Sequence, residues 1–93
     1  MMTKRISFLV HGDVQGVGFR YYARKKAISY GLTGWVRNTA NNKVEGEAQG
    51  EDDVLHKFMK DVDKGPAHSH VVKLEKKEID VIDGEANFEV RRS

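Results

Sequence analysis

Near the N-terminus, three glycines and an arginine lie close together in HGDVQGVGFRYYARKK, from His11 to Lys26. Glycine permits positive φ angles and lets a ligand approach the backbone, and successive amides of such a loop can form an anion-binding nest. Arg20 follows the last of these glycines, and its planar set of donors matches the oxygens of a phosphate. These residue types in this order predict a phosphate-binding loop.

The same spacing also fits a simpler structure, a tight turn from a strand into a helix with an exposed arginine. An arginine in a first helical turn opposes the helix dipole at a cost of about 0.3–1 kcal/mol, which favours a functional reason for Arg20. The segment matches neither the G-x-x-x-x-G-K-[ST] nor the G-x-G-x-x-G pattern. It therefore predicts neither an ATP site nor a dinucleotide site.

A second candidate for chemistry is Asn38, which ends the predicted strand LTGWVRN and shares strand parity with Val36. A side-chain amide can hold a water molecule by donating and accepting hydrogen bonds at once, although it is not a useful base. An asparagine that only caps the end of the strand is the structural alternative. Thr39, the next residue, could orient the Asn38 amide.

The elements around these residues follow from the spacing of apolar positions. Apolar residues alternate from Ile6 to Val10, which predicts a strand with one buried face and with Arg5, Ser7, Leu9 and His11 on the opposite face. From Phe19 to Tyr30 the apolar spacing becomes helical, and Gly31 is well placed to end that helix. The glycine loop therefore joins a first strand to a first helix.

The rest of the chain predicts a hairpin, a second helix and two further strands. The acidic residues at 51–53 suit a helix start, and the helical stripe behind them is Val54, Leu55, Phe58, Met59 and Val62. The predicted order is β-α-β-β-α-β with a short C-terminal strand. Two helices can then cover one face of an antiparallel-rich sheet, which is an α+β fold, the ferredoxin-like two-layer α/β sandwich.

Length and composition limit the classes of function. A chain of 93 residues fits one domain, which we expect to span residues 1–93. The absence of cysteine excludes disulfides, thiolate metal sites and a cysteine nucleophile. The N-terminal apolar run is too short for a signal peptide or a membrane span, so we expect a cytoplasmic protein without membrane contact. A net charge of +2 could attract a small anion but is far from typical of nucleic-acid binding.

Two longer segments, GDVQGVGFR at 12–20 and GLTGWVRN at 31–38, resemble the signatures of the acylphosphatase family. The resemblance covers nearly the whole chain and is weakest over 71–93. It implies a small monomeric enzyme that hydrolyses the carboxyl-phosphate bond of acyl phosphates without a metal or an organic cofactor. It places the catalytic residues at Arg20 and Asn38 and the phosphate-binding loop at Val14, Gln15, Gly16, Val17, Gly18, Phe19 and Arg20.

The chemistry expected from this resemblance is direct attack of water on the phosphoryl group. The leaving group is a carboxylate, so the main tasks are positioning the water and stabilising charge. Orthophosphate would then be both product and competitive inhibitor. Asp13 stands where many relatives carry a basic residue, and we expect its side chain to point to solvent.

Two rival functions remain possible from the sequence. RNA-recognition domains share this topology, but the outward positions predicted for the first and third strands hold no aromatic residue: Ser7, Leu9, His11, Glu45, Glu47 and Gln49. The other rival is a non-catalytic anion-binding domain with the same loop. A zinc site at His56, His68 and His70 is disfavoured, because no further ligand follows at a recognisable spacing.

Overall fold

The computed structural model describes residues 2–92 and has the predicted order of elements. These are β1 (Thr3–Asp13), α1 (Phe19–Ser29), β2 (Thr33–Asn38), β3 (Val44–Glu51), α2 (Asp52–Lys64), β4 (His70–Ile79) and β5 (Phe88–Arg91). The strands form one sheet in the order β4-β1-β3-β2-β5. Both helices pack on one face of it, as expected for a ferredoxin-like α+β sandwich.

The strand directions determine where the loops of the chain meet. β1 and β2 are each antiparallel to β3, so they run parallel to each other, and β5 is parallel to β2. The carboxyl ends of β1, β2 and β5 therefore lie at one edge of the sheet. We call this the active edge, because the glycine loop follows the end of β1 and Asn38 is the last residue of β2.

The core lies between the helices and the sheet face that the alternation predicts. The inward side chains of β1 that are fully buried are Phe8 and Val10, and the Phe58 ring of α2 contacts the ring of Phe8 edge to face at 5.9 Å. On its other side, Phe58 contacts Phe88 of β5 at the same centroid distance. The last strand is thereby joined to the core through α2.

α1 ends as the sequence predicts, through a glycine. Gly31 has a φ of 69°, its amide donates to the Ile28 carbonyl, and the Leu32 amide donates to the Ala27 carbonyl. This pair of bonds is the Schellman arrangement, which satisfies carbonyls that the end of a helix otherwise leaves unpaired. β2 then begins at Thr33, and buried residues alternate along it with more exposed ones.

The expectation that Arg5 lies on an exposed strand face is wrong, because its side chain is 0% exposed. The chain between β4 and β5 joins opposite edges of the sheet, and Glu85 from this connection covers Arg5. The guanidinium donates to Glu85 at 2.8 and 3.2 Å, to Glu47 at 2.8 Å and to Gln49 at 3.1 Å. A buried cation is tolerated here because carboxylates surround it.

Candidate active site

The glycine loop, residues 14–18, is fixed at both ends by apolar side chains. Val14 at its start and Phe19 at its end are buried, and Val17 packs against the same core. Between them, Gly16 and Gly18 both have a φ of 74°, with open space where a side chain would stand. The backbone can therefore take left-handed conformations at these two positions, and a ligand can approach it closely there.

The amides of this loop and of the first helical turn are available to a ligand. The first amide of the helix to donate within the protein is that of Tyr22, to the Gly18 carbonyl at 3.0 Å. Within residues 2–92, the backbone amides of residues 15–21 donate no hydrogen bond to a backbone carbonyl, and no side chain caps α1. No acidic residue lies in the first turn of α1. The positive end of the helix is thus free to bind an anion.

Arg20 lies in that first turn, half-buried, and adds a fixed cation to the amides. It lines a cavity between α1 and β5, and its guanidinium lies 6.0 Å from the centre of the Tyr21 ring. Asn38 lines a different cavity of about 400 Å³ on the β2 side, together with Thr39 and the turn after it. The two predicted catalytic side chains thus line separate cavities that share no lining residue.

Asn38 has the position and the freedom that water binding requires. It is the last residue of β2, pairs with Val44 of β3 and is half-buried. Its side-chain amide makes no hydrogen bond with the part of the chain at 2–92. Because α1 packs over β2 and β5, the loop from β1 must cross toward β2 at the active edge, which brings the start of α1 near Asn38.

Gln15 joins the two halves of the site directly. Its Nε2 donates to the carbonyls of Thr39 at 2.8 Å and Lys43 at 2.9 Å, both in the turn that follows β2. The sequence placed Gln15 in the loop but gave it no separate role. Its residue type, a long side-chain amide among glycines and valines, was the only sign of such a role in the sequence. Its partners could not be predicted, because they lie 24 and 28 residues away along the chain.

Thr39 organises the turn after Asn38. Its hydroxyl donates to Asn41 Oδ1 at 2.5 Å and accepts from the Lys43 amide at 3.0 Å, while its own amide donates to the Lys43 carbonyl at 2.8 Å. These bonds fix the backbone directly after the catalytic candidate. Its predicted action on the Asn38 amide stays a prediction.

Two polar residues beside the loop face away from it. His11 lies on the sheet face opposite the helices, with Nε2 2.5 Å from Glu75 Oε2, and this contact, helped by Lys73, lowers the pKa of the Glu75 carboxyl. Asp13 is exposed at the end of β1, opposite His70 of β4. No group of three metal-binding side chains occurs within residues 2–92.

Known proteins resemble the chain over nearly its whole length. The family model "Acylphosphatase" matches residues 6–90. An acylphosphatase of Moorella thermoacetica is 40% identical over 100% of this chain and 99% of its own length. Solved structures of acylphosphatases from Bacillus subtilis and Coxiella burnetii superpose with TM-scores of 0.91 and 0.90. They are 33% and 38% identical, cover 97% and 96% of this chain, and are themselves covered over 99% and 93%.

The chain belongs to the acylphosphatase family, whose members hydrolyse acyl phosphates. The matched range of the family model includes the whole glycine loop, Arg20 and Asn38. Across residues 2–92, no helix is both long and apolar enough to cross a membrane.

Proposed function

We propose that this chain hydrolyses acyl phosphates at the active edge, with the phosphoryl group bound by the loop amides and Arg20 and the attacking water held by Asn38. The observation that carries the proposal is the set of unpaired amides at 15–21 around the uncapped start of α1. Their dipoles point to a place where an anion gains charge stabilisation without reorganisation of the protein. Membership of the acylphosphatase family supports the same reaction.

In the proposed reaction, the oxygen of water bonds to phosphorus while the bond from phosphorus to the carboxylate oxygen breaks. The electron pair leaves with the carboxylate, and the proton of the water passes to a phosphate oxygen or to solvent. The transition state of such a transfer is loose, so the protein mainly positions the reactants and stabilises charge. The free amide of Asn38 suits the water, since it can accept one hydrogen bond and donate another.

The positive charge in this site is supplied by the protein itself. The guanidinium of Arg20 offers several fixed donors, and the helix start adds the equivalent of a partial positive charge. We therefore propose that the reaction requires no metal ion. We also propose that orthophosphate competes with the substrate, because it presents the same oxygens to the loop.

The chain supplies both halves of the site by itself, and we propose that it acts as a monomer. Gln15 and Asn38 come from the same chain and are linked through the turn after β2. The chain has no cysteine and therefore no disulfide that would indicate an oxidising compartment, and we further propose that it acts in the cytoplasm and without nucleic acid. Light scattering at assay concentrations would test the first point, and a mass of two chains would contradict it.

Hydrolysis of benzoyl phosphate in EDTA tests the proposed function. We expect rapid turnover that survives chelation, and a loss of at least about 10²-fold in Arg20→Ala, since a charge-stabilising donor is removed. Lys25→Ala is the matched control, because Lys25 is an exposed cation of the same helix that does not line the cavity of Arg20. A folded protein without turnover would leave a phosphate-binding domain and contradict the enzymatic proposal.

A further inference from the structure

The six arginines of the chain divide into two groups of three. Those of the first group pair with carboxylates: Arg5 with Glu47 and Glu85, Arg37 with Glu45, and Arg91 with Glu89. The others, Arg20, Arg24 and Arg92, form no ion pair with a carboxylate of residues 2–92. These three line one cavity, which we call the arginine pocket.

The arginine pocket is a cavity of about 530 Å³ at the active edge, between α1 and β5. Arg20 and Arg24 are four residues apart on α1 and so lie on one face of the helix, one turn from each other. Arg92 follows the end of β5, whose parallel pairing with β2 brings it to the level of Asn38. The remaining lining is Tyr21, which is exposed, and the half-buried Val90.

Three like charges around one cavity repel each other and weaken the fold unless an anion occupies it. The phosphoryl group needs Arg20 and the amides, which leaves Arg24 and Arg92 without an occupant. One helical turn, about 5.4 Å, separates the positions of Arg20 and Arg24 along the helix. A second anion of the same ligand could therefore be bound a few bonds away from the phosphoryl group.

We propose that the arginine pocket binds a second anionic group on the acyl part of the substrate. This inference rests on the proposed function and adds to it a preference for acyl phosphates that carry a carboxylate or phosphate two or three carbons from the carbonyl. Arg24 and Arg92 donate hydrogen bonds to that group, and Val90 and the Tyr21 ring contact the carbon chain between the two anions. Acyl phosphates without a second anion are held only by the loop amides and Arg20.

A matched pair of substrates tests this proposal: succinyl phosphate ends in a carboxylate where butyryl phosphate ends in a methyl group. We expect kcat/KM to be about tenfold higher for succinyl phosphate. Partly exposed ion pairs change equilibria by up to about fivefold each, so Arg24→Gln and Arg92→Gln should each lower the ratio of the two kcat/KM values by up to about fivefold. The double variant should bring the ratio close to one.

Lys25→Gln is the control, because it removes one positive charge from the same helix outside the arginine pocket. We expect it to leave the ratio unchanged. A ratio near one in the unaltered protein, equal losses on both substrates in the arginine variants, or an equal shift in Lys25→Gln would each overturn the pocket's role. If neither substrate is hydrolysed, the proposed function itself fails, which is a different outcome.

Discussion

Gln15 is the residue on which the alignment of the two halves of the site depends. Its single amide group donates to both Thr39 and Lys43, so it holds the loop at a fixed distance from the turn after Asn38. A displacement of about 1 Å between reacting groups can cost about 10²-fold in rate. Small changes at this position should therefore affect catalysis more than phosphate binding.

We expect Gln15→Leu to lower kcat by about tenfold or more while changing the inhibition constant of orthophosphate much less. The reason is that the loop amides remain, whereas the distance between the phosphoryl group and the water held by Asn38 is no longer fixed. Steady-state kinetics with benzoyl phosphate, with orthophosphate as inhibitor, gives both quantities. Unchanged kcat would show that the two hydrogen bonds do not align the site.

At the residue scale, the sequence was informative where residue type alone indicates chemistry. Glycines before an arginine predict an anion loop, and the structure leaves that loop's amides free of partners in the described chain. The hydrogen bonds of Gln15 and the cavity that Arg24 lines with Arg92 involve distant segments, which no local pattern shows. For the same reason, the sequence pattern placed Arg5 on an exposed strand face although its side chain is buried.

Among the elements, the connection between β4 and β5 covers part of the sheet face away from the helices, where it contacts Arg5. It crosses from one edge strand to the other, and Glu85 joins it to Arg5 of β1 by two hydrogen bonds. We expect Glu85→Gln to lower the free energy of unfolding at neutral pH by about 2–3 kcal/mol, because a buried guanidinium loses one of its carboxylates. Urea unfolding measures this change.

The effect of Glu85→Gln should depend on pH. The hydrogen bond from Arg5, supported by one from Thr33 and opposed by burial, lowers the pKa of the Glu85 carboxyl below its ordinary value of 4.5. A lowered pKa means that the stabilisation is fully present above the unfolded-state pKa and is lost as the pH falls through the folded-state pKa. The difference between the two proteins should therefore shrink as the pH drops below 4.5.

Glu78→Gln provides the control for that titration, because Glu78 is exposed and its nearest cation, Lys4, lies 3.9 Å away. It should change stability little at any pH. If Glu85→Gln were as mild as this control at neutral pH, Glu85 would not be what holds the connection to the sheet.

The elements themselves were predictable because their periodicity is strong. Four of the five residues of the predicted α2 stripe are buried and the fifth, Val54, is partly buried against the core. In β3 the predicted outward residues alternate with buried ones. β4 lacks such a regular alternation, and the structure gives the reason: it is an edge strand whose side chains are mostly exposed, so charged residues interrupt its pattern. Edge strands commonly carry such charges.

For the molecule as a whole, the net charge is small, but three arginines that pair with no carboxylate of residues 2–92 line one cavity at the active edge. The unpaired arginines and the start of α1 lie together there, while the outer sheet face holds paired charges. Raising the ionic strength from about 0.01 M to about 0.15 M shortens the screening length from about 30 Å to about 8 Å. The attraction of an anionic substrate to this edge should weaken accordingly.

We expect KM for acyl phosphates to rise several-fold over that range of ionic strength, with kcat nearly constant. The physical reason is that screening reduces substrate attraction from a distance but acts little on charges in contact within the site. Steady-state kinetics in sodium chloride measures both constants. A constant KM would show that the concentration of charge at the active edge has no effect on binding.

One feature of the overall arrangement could not be predicted from the sequence. The order of elements and the layering follow from periodicity, but the pairing of β5 with β2 joins segments about fifty residues apart. That pairing brings Arg92 to the active edge, where it lines the arginine pocket together with Arg20 and Arg24. Neither the arginine pocket nor the buried Arg5 could be predicted without it.

The measurement that tests the central claim most directly is the comparison of kcat with the orthophosphate inhibition constant in Asn38→Ala. We predict that kcat falls by at least about 10²-fold while the inhibition constant stays close to that of the unaltered protein, because Asn38 holds the water and the loop holds the phosphate. Arg20→Lys, measured beside it, should lower kcat and raise the inhibition constant of orthophosphate, since an ammonium lacks the planar set of donors. A parallel loss of kcat and phosphate affinity in Asn38→Ala would contradict the account.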